Sequence, residues 1–478
     1  MASIDKQSVR EEFDKIKANF ENLSDQGKIS PEIASLFNTL FLLFNIVLSI
    51  FLERKTKKTS ANSSLPPSQT GKDETTPKSK TNGKGQNERI TTAANTRTIE
   101  QTTLSKAETC KDCGRDLDTI ACECIERRTR IDIIFEKTVE HVDAEVKKCP
   151  ACETLTKGKF PEDMPGPLQY GNGIKAYAIQ LLVMQMMSLN RVSKMLATMI
   201  GRLISEATLL SYIMRLHLAL EPWEAAAKSE ILSAACINTD ETSLRVDKKN
   251  HWIHVLSAGD ITLKFLHKKR GKQAVEDIDI IPRYGGVIVH DCWASYLSYS
   301  HCLHGLCGSH LLRELFFIID AHDYRWAKNM KRLLKETCKV VTEREEKCLD
   351  EKEYKRLQRR YRNILTRAEK ELPTIPKKTK GRRGKVAKSD AHNLWERLLK
   401  HEEAVLLFSK LAHVPFTNNR AEQDLRMAKV KQKVSGCFRT EKYAHAYCRI
   451  SSYLQTMKCK GINPLIAVGM ALSGEING

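Results

Sequence analysis

Two acidic residues stand at the ends of apolar, strand-like runs in the middle of the chain. Asp291 lies just beyond the β-branched run 287–289, and Asp240 follows the run 234–239. A third acid, Glu422, lies far downstream on a segment whose apolar residues recur at helical spacing. Two acids on neighbouring strands and one on a helix can converge on a pair of divalent cations, which suits in-line displacement at phosphorus. The alternative for Asp291 is that it caps the next helix.

Two acids lie close together on the downstream helix, and Glu422 is predicted to complete the site. At about 100° per residue, Glu422 shares one helical stripe with three cations, whereas Asp424 lies about 200° away. The cations of this stripe are suited to binding phosphates and are Arg426, Lys429 and Lys433. Asp424 is expected to form a surface ion pair that contributes little energy. Either Asn418 or Asn419 is expected to cap the helix.

A second basic group lies in a turn between predicted elements. It consists of Lys268, Lys269 and Arg270. Predicted strands over residues 251–257 and 261–267 precede it, and a short helix over residues 272–278 follows it. The three cations are candidate contacts for the phosphates of DNA. The alternative is a solvated hairpin tip.

Thiols form a separate candidate metal site. Two Cys-x-x-Cys pairs supply four thiolates, the number and type that tetrahedral Zn²⁺ prefers: Cys110, Cys113, Cys149 and Cys152. Between the pairs, residues 131–135 and 138–146 alternate like strands, so a zinc ribbon is predicted over residues 109–160. Cys122 and Cys124 are competing ligands. Unliganded thiols of a reducing compartment are the alternative.

Four motifs occur in one order along the chain: DET from residue 240, VHDCWASY from residue 289, CGSHLLREL from residue 307 and NNRAEQDLR from residue 418. Together they resemble the insertion-sequence-66 family of bacterial transposases, and the resemblance extends from Leu36 to the C-terminus. It implies a DDE transposase with a ribonuclease-H-like core, in which Asp240, Asp291 and Glu422 are the catalytic acids. It also implies that His310 lies close to the active site, as a contact to DNA or to a metal ligand.

The resemblance also bears on the N-terminal part of the chain. The family carries a leucine-zipper-like helix, a linker rich in Asn, Ser and Pro, and a zinc ribbon. Residues 61–68, ANSSLPPS, fit the linker. Glu153 stands where the family usually has glycine.

The uncharged run at residues 33–52 permits two interpretations. Its length is just sufficient to span a membrane. Its apolar residues also follow alternating steps of three and four, which is the pattern of a coiled-coil seam: Ile33, Leu36, Leu40, Leu43, Val47 and Ile50. The polar residues that interrupt the run favour oligomerisation through a coiled coil.

Composition limits the classes of partner. The 478 residues suffice for two or three domains, and the formal net charge of +20 indicates a polyanionic partner, either nucleic acid or an acidic membrane surface. Fifteen cysteines, an odd number, without a signal peptide favour a reducing cytoplasm over a disulfide scaffold.

The predicted fold is multidomain α/β. Its domains are a helical oligomerisation segment (1–54), a disordered basic linker (55–108), the zinc ribbon (109–160), a helical DNA-binding region (165–228), a ribonuclease-H-like mixed-sheet core (229–323 and 411–475) and a helical insertion (324–410) with a basic loop at 377–385. Within the helical DNA-binding region (165–228), residues 191–200 and 204–220 are a candidate helix-turn-helix, with Ser205 near the start of its second helix.

The predicted function is that of a transposase, which catalyses DNA strand cleavage and strand transfer of an insertion sequence by two-metal phosphoryl transfer. The all-carboxylate site fits Mg²⁺ or Mn²⁺ better than Zn²⁺. Expected partners are the terminal repeats of the element, the target DNA, further copies of the chain and accessory proteins of the same element. The rival interpretations are a non-catalytic DNA-binding regulator derived from a transposase and a membrane-associated protein.

Overall fold

The computed structural model describes residues 6–51, 101–131, 136–373, 375 and 388–475. Three predictions fall largely outside these ranges: the linker over residues 55–108, the strand-like run 131–135 and the basic loop 377–385. The chain divides into two compact units. We call Met1–Asn82 with Gly305–Thr417 the helical unit, and Gly83–His304 with Asn418–Gly478 the sheet unit.

The elements of the described residues follow one another in this order: α1 Lys6–Asp25, α2 Pro31–Phe51, β1 Val146–Lys148, β2 Leu155–Lys157, α3 Asn172–Ile179, α4 Leu189–Ile200, α5 Glu206–Ala219, α6 Glu221–Ser233, β3 Cys236–Val246, β4 Lys249–Ala258, β5 Ile261–His267, α7 Lys272–Ile278, β6 Val287–His290, α8 Ala294–Leu297, β7 Leu303–Leu306, α9 Gly308–His322, α10 Arg325–Glu343, α11 Glu351–Glu371, α12 Asp390–Lys400, α13 Glu402–Lys410, α14 Asn419–Ser435, α15 Glu441–Cys459 and α16 Pro464–Leu472. A π-helical segment, Gln180–Met184, extends α3.

The main sheet is mixed and has the strand order β5-β4-β3-β6-β7. β3, β4 and β5 are antiparallel neighbours, and β6 is parallel to β3. All four residues of β6 are buried, and three of them are β-branched, as is typical of a strand covered on both faces. The predicted strand over residues 261–267 and the predicted helix over residues 272–278 are confirmed as β5 and α7.

Helix α15 covers the edge strand β5. The backbone N–H of Thr262 donates to Thr456 Oγ1 at 3.1 Å, and the backbone N–H of Lys264 donates to Ser452 Oγ at 2.8 Å. The two hydroxyls are four residues apart on one stripe of α15, and the two N–H groups are two residues apart on the strand. The helix therefore satisfies donors that an uncovered edge would leave open to pairing with another chain.

The helices α3 to α6 share one hydrophobic core with the main sheet, α15 and α16. Ser205 caps α5 by accepting from the Thr208 N–H at 3.1 Å, which confirms its predicted place at the helix start. Gly201 ends α4 with a φ of 74°, a conformation that favours glycine. Residues 165–228 thus fold onto the sheet rather than around a core of their own.

The helical unit contains two groups of helices. In the first, α1 and α2 pack through aromatic contacts, with the Phe13 ring 5.7 Å from Phe41 and the Phe20 ring 5.1 Å from Phe37. Four residues of the predicted seam are exposed: Ile33, Leu36, Leu40 and Leu43. Among the residues that the structure describes, no helix is long and apolar enough to cross a membrane; the side chains of residues 45–52 lie outside that description.

The second group, α9 to α13, lies within the part Gly305–Thr417 of this unit, and the helical insertion is predicted over residues 324–410. α10 and α11 bury Trp326, Leu334 and Tyr361. Asp350 and Glu353 form a capping box at the start of α11, so both charged side chains satisfy backbone donors there.

Candidate active site

The strand register brings the first two acids to the same level of the sheet. β3 and β6 are parallel, and Asn238 pairs with Val289. Asp240 lies two residues after Asn238 on β3. Asp291 lies two residues after Val289, one residue beyond the end of β6. Adjacent strands lie about 4.8 Å apart, so this register puts the two acids side by side.

Electrostatics place Glu422 in the same neighbourhood. Burial is the main cause that raises the pKa of Asp240 well above its usual range, and the charges of Glu241, Asp291 and Glu422 raise this pKa further. Glu422 lies in the first turn of α14. Asp291 and Glu422, both distant from Asp240 in sequence, therefore act on Asp240 together with Glu241 in the sheet unit.

The predicted cationic stripe on α14 is partly used within the protein. Lys429 Nζ lies 3.3 Å from Ser243 Oγ, and Asp240 raises the pKa of this lysine while burial lowers it more strongly. Lys429 therefore lies beside the acids. Arg426 and Lys433 are exposed farther around and along the helix.

Glu241 is a buried acid that the sequence analysis did not single out. Its side chain is 1% exposed and accepts from Tyr296 Oη at 2.7 Å. Arg270 Nε donates to the same carboxylate at 2.7 Å, and the guanidinium group lies 5.0 Å from the Trp252 ring and 4.4 Å from the Trp293 ring. Arg270 thus neutralises a buried carboxylate, so the charge of this candidate DNA contact is already paired within the protein. The signal in the sequence was the adjacent pair of acids at residues 240 and 241.

Asp291 is followed by a strained turn that a buried histidine, His290, and a half-buried one, His304, hold in place. Cys292 has a φ of 69°, which is costly for a residue with a side chain. Its N–H donates to His290 Nδ1 at 3.1 Å, and His290 Nε2 lies 3.1 Å from His304 Nδ1. His304 Nε2 in turn donates to the Tyr299 carbonyl at 3.1 Å. This chain of bonds is satisfied when both rings are neutral, and burial lowers the pKa of His304.

The expectation that Asp424 forms a weak surface pair is wrong. Asp424 is only 7% exposed. Its Oδ2 accepts from Ser257 Oγ at 2.6 Å and from Thr262 Oγ1 at 2.8 Å, and Arg420 Nε lies 3.1 Å away. The helical stripe away from Glu422 faces β4 and β5 instead of solvent, so Asp424 fastens α14 to the sheet.

The helix cap also differs from expectation. Asn418 occupies the N-cap position of α14, but its side chain makes no capping hydrogen bond. Asn238 Nδ2 donates to Asn418 Oδ1 at 2.9 Å, and Asn418 Nδ2 donates to the Thr239 carbonyl at 2.8 Å. The side chain therefore joins the helix start to β3.

The remaining candidate DNA contacts differ in their surroundings. Lys268 is exposed and pairs with Glu441 at 3.1 Å, and Lys269 Nζ donates to Gln273 Oε1 at 2.6 Å. His310 lies in the first turn of α9, where burial and then Arg313 and Arg397 lower its pKa to about 4. His310 is therefore neutral near pH 7, which makes it a poor partner for phosphate charge.

The two cysteine pairs form turns of the same backbone geometry. Gly114 N–H donates to the Cys110 carbonyl and Glu153 N–H donates to the Cys149 carbonyl, both at 2.9 Å. The residue after each second cysteine is left-handed, with a φ of 71° at Gly114 and 58° at Glu153. This explains why glycine suits that position and why Glu153 is strained there.

Hydrogen bonds within each turn lower the thiol pKa values. Those from Cys113 and Asp112 lower the pKa of Cys110, and those from Thr154 and Cys149 lower the pKa of Cys152. In the described part of the chain, however, these cysteines do not join in any set of three ligand atoms close enough to share a metal ion. Residues 138–145 are also irregular instead of forming the predicted strand, and only the short hairpin β1–β2 is present there among the described residues.

The acids suit hard divalent cations. Their donor atoms are carboxylate oxygens, which Mg²⁺ and Mn²⁺ prefer, and their mutual repulsion in a partly buried place is what a bound cation relieves. Asp240 is the better ligand of the adjacent pair, because Arg270 and Tyr296 already occupy the carboxylate of Glu241.

Comparison with known families gives one match in the central part of the chain. The family model described as Transposase IS66 family matches residues 167–446, more than half of the chain. This segment includes all three acids and excludes both cysteine pairs. A search of curated proteins gives no match. The chain belongs to the IS66 family of transposases.

Proposed function

We propose that this transposase cleaves and joins DNA strands by two-metal phosphoryl transfer, with Asp240, Asp291 and Glu422 as the metal ligands. The observation that carries the proposal is the parallel register of β3 and β6, which brings Asp240 level with Asp291. Burial and the charges of Glu241, Asp291 and Glu422 raise the pKa of Asp240, and a bound cation would offset that repulsion. When bound, the ions supply an activated water or 3′-hydroxyl and stabilise the leaving oxygen.

The protein's own part in this chemistry is to hold carboxylates and cations in fixed places. The sheet register fixes Asp240 beside Asp291, and α14 brings Glu422 to them. Lys429 lies beside Asp240, where its charge favours a phosphate group close to the acids. Arg270 and Tyr296 hold the carboxylate of Glu241, so this fourth acid is paired within the protein.

The strand order supports a ribonuclease-H-like core. Three antiparallel strands in sequence order are followed by β6, which returns next to β3 and parallel to it. The first acid lies on the central strand of this arrangement, and the second lies at the end of its parallel neighbour. Catalytic residues at the carboxyl end of a parallel strand are common in open α/β sheets.

DNA would be held by exposed cations of the sheet unit. Arg426 and Lys433 on α14 and Lys268 and Lys269 after β5 are exposed, so they can reach phosphates without losing buried contacts. His310, neutral near pH 7, would contribute at most a hydrogen bond.

A structural zinc ion would join the two cysteine pairs. Each turn already directs hydrogen bonds that favour thiolates, and Zn²⁺ takes four such ligands. The exposed apolar residues of α2 are proposed to pair with further copies of the chain as a coiled coil.

The test is cleavage of DNA that carries the terminal repeats of the element, with purified protein and Mg²⁺. We expect Asp240→Asn, Asp291→Asn and Glu422→Gln each to abolish cleavage and to leave DNA binding largely intact. Asp260→Asn and Glu230→Gln, at exposed acids outside the site, are matched controls that keep activity.

Full activity of Glu422→Gln would remove this acid from the site. Specific DNA binding by the unaltered protein without any cleavage of either strand would support the rival function, a non-catalytic regulator derived from a transposase.

A further inference from the structure

Asn238 and Asn418 form a buried side-chain pair next to the acids. The two residues are 9% and 1% exposed. Asn238 Nδ2 donates to Asn418 Oδ1, and Asn418 Nδ2 donates to the Thr239 carbonyl, so both amides are used in the contact. A buried amide is expensive to leave without a partner, which makes such a contact geometrically specific.

Helix α14 runs beside β3 in the same direction. Asn418 touches Asn238 at its start, and Lys429 Nζ lies 3.4 Å from the Ser243 carbonyl oxygen farther on. The eleven helical residues between these contacts rise about 16 Å, and the five strand residues also advance about 16 Å. The helix and the strand therefore advance by the same length between these two contacts.

Each asparagine of the pair precedes one of the acids on the same element. Asn238 and Asp240 are two residues apart on β3 and lie on one face, about 7 Å apart along the strand. Asn418 and Glu422 are four residues apart at the start of α14 and lie on one stripe, with a rise of about 6 Å. A contact between the asparagines consequently sets the separation of Asp240 and Glu422.

We infer that Asn238 and Asn418 are positioning residues that hold Asp240 and Glu422 at the separation needed to share a cation. The inference rests on the proposed function, since it assigns a role toward the same acids. An apolar pair of similar size would pack the helix against the strand but would not fix its sliding position. The amide pair fixes that position because its hydrogen bonds are directional.

The experiment measures metal binding by the full-length protein, with Mn²⁺ as the probe. Thermal unfolding at increasing Mn²⁺ gives an apparent dissociation constant for the unaltered protein, Asn238→Ala, Asn418→Ala and the double variant. Groups that orient metal ligands typically change affinity about 10- to 100-fold, and we expect a loss in that range for each single variant. The double variant should lose no more than the worse single variant, because the pair acts as a unit.

Ser257→Ala is the matched control. It removes an equally buried hydrogen bond to α14, the one to Asp424 at 2.6 Å, and should lower stability without changing the Mn²⁺ dissociation constant. Asn238→Ser offers a milder change if an alanine variant fails to fold. Excess Mn²⁺ should restore cleavage in the asparagine variants, whereas it should not restore cleavage in Asp240→Asn.

The outcomes separate the inference from the proposed function. Unchanged Mn²⁺ affinity in both asparagine variants, or an equal loss in Ser257→Ala, overturns the positioning role while the metal site stands. Equal Mn²⁺ binding by the unaltered protein and by Asp240→Asn overturns the metal assignment, and the positioning role with it.

Discussion

The acid site and the two cysteine pairs are both candidate metal centres, but the chain builds them in different ways. Each cysteine pair lies within a turn of a few residues, and the two turns repeat the same backbone hydrogen bonds. The acids are far apart in sequence and meet through a parallel strand register and a helix. In the described residues the other acids raise the pKa of Asp240, whereas the two cysteine turns are not joined.

This difference shows what local and non-local order contribute. A turn that prepares two thiolates costs little and forms from nearby residues. Four ligands from two such turns need either a surrounding core or the ion itself, because most of the described residues in the range 101–159 are exposed. The acids lie on or just after strands and on a helix that share one hydrophobic core, so packing positions these elements.

The largest effect that would test this comparison is loss of zinc. We expect about one Zn²⁺ per chain, and binding to structural sites of this type is worth about 10–16 kcal/mol in zinc-finger peptides. Cys113→Ser with Cys149→Ser should abolish zinc binding, as measured by elemental analysis, and should open residues 109–160 to proteolysis. Cys122→Ser with Cys124→Ser is the control that should retain zinc. Zinc that survives the first double change would contradict the ribbon.

The next effect concerns the contact of α14 with the sheet. Asp424→Asn should destabilise the protein by about 3 kcal/mol, because it leaves the partly buried charge of Arg420 and two buried hydroxyls without their carboxylate. Urea unfolding measures the change, with Asp260→Asn as the exposed control. A loss below about 0.5 kcal/mol would show that the contacts of Asp424 contribute no more to stability than those of a surface residue.

A smaller effect follows from the repulsion among the acids. The folded-state pKa of Asp240 is raised above 3.8, so the stability that this group contributes is complete below that pH and is lost as the pH rises through the folded-state pKa. Asp240→Asn should therefore make the metal-free protein more stable than the unaltered protein at pH 8, with little difference at pH 4. Thermal unfolding with a chelator measures this, and each kcal/mol corresponds to about 2–4 °C.

The contrary result would be instructive. If Asp240→Asn lowers the melting temperature of the metal-free protein at pH 8, contacts other than a cation stabilise the acids. The assignment of these acids as a metal site would then lose support.

The smallest effect lies in the second cysteine turn. Glu153→Gly should relieve a left-handed backbone strain of about 1 kcal/mol and tighten zinc binding by about fivefold. Competition with a chelator measures the affinity. Gly114→Ala at the equivalent position of the first turn should weaken binding, and equal affinities for all three proteins would show that the turns do not limit zinc binding.

Much of the local structure follows from sequence patterns. The alternation at residues 261–267 and the helical spacing at residues 272–278 predict β5 and α7 within their observed bounds. Ser205 marks the start of α5, and the order of the four motifs identifies the family. These signals are local because turn chemistry, capping and hydrophobic periodicity act over a few residues.

The roles of polar residues depended on tertiary structure. Helical periodicity placed Glu422 and Asp424 on different sides of α14, but it did not reveal that β4 and β5 would cover Asp424. Composition marked Arg270 as a cation of a basic turn, and only the fold turned it toward Glu241. Asn418 begins the helix as expected, yet its amide contacts β3. Sequence patterns determine which side chains share a face, whereas burial and partners depend on what packs against that face, and this is decided by contacts between residues far apart in the chain.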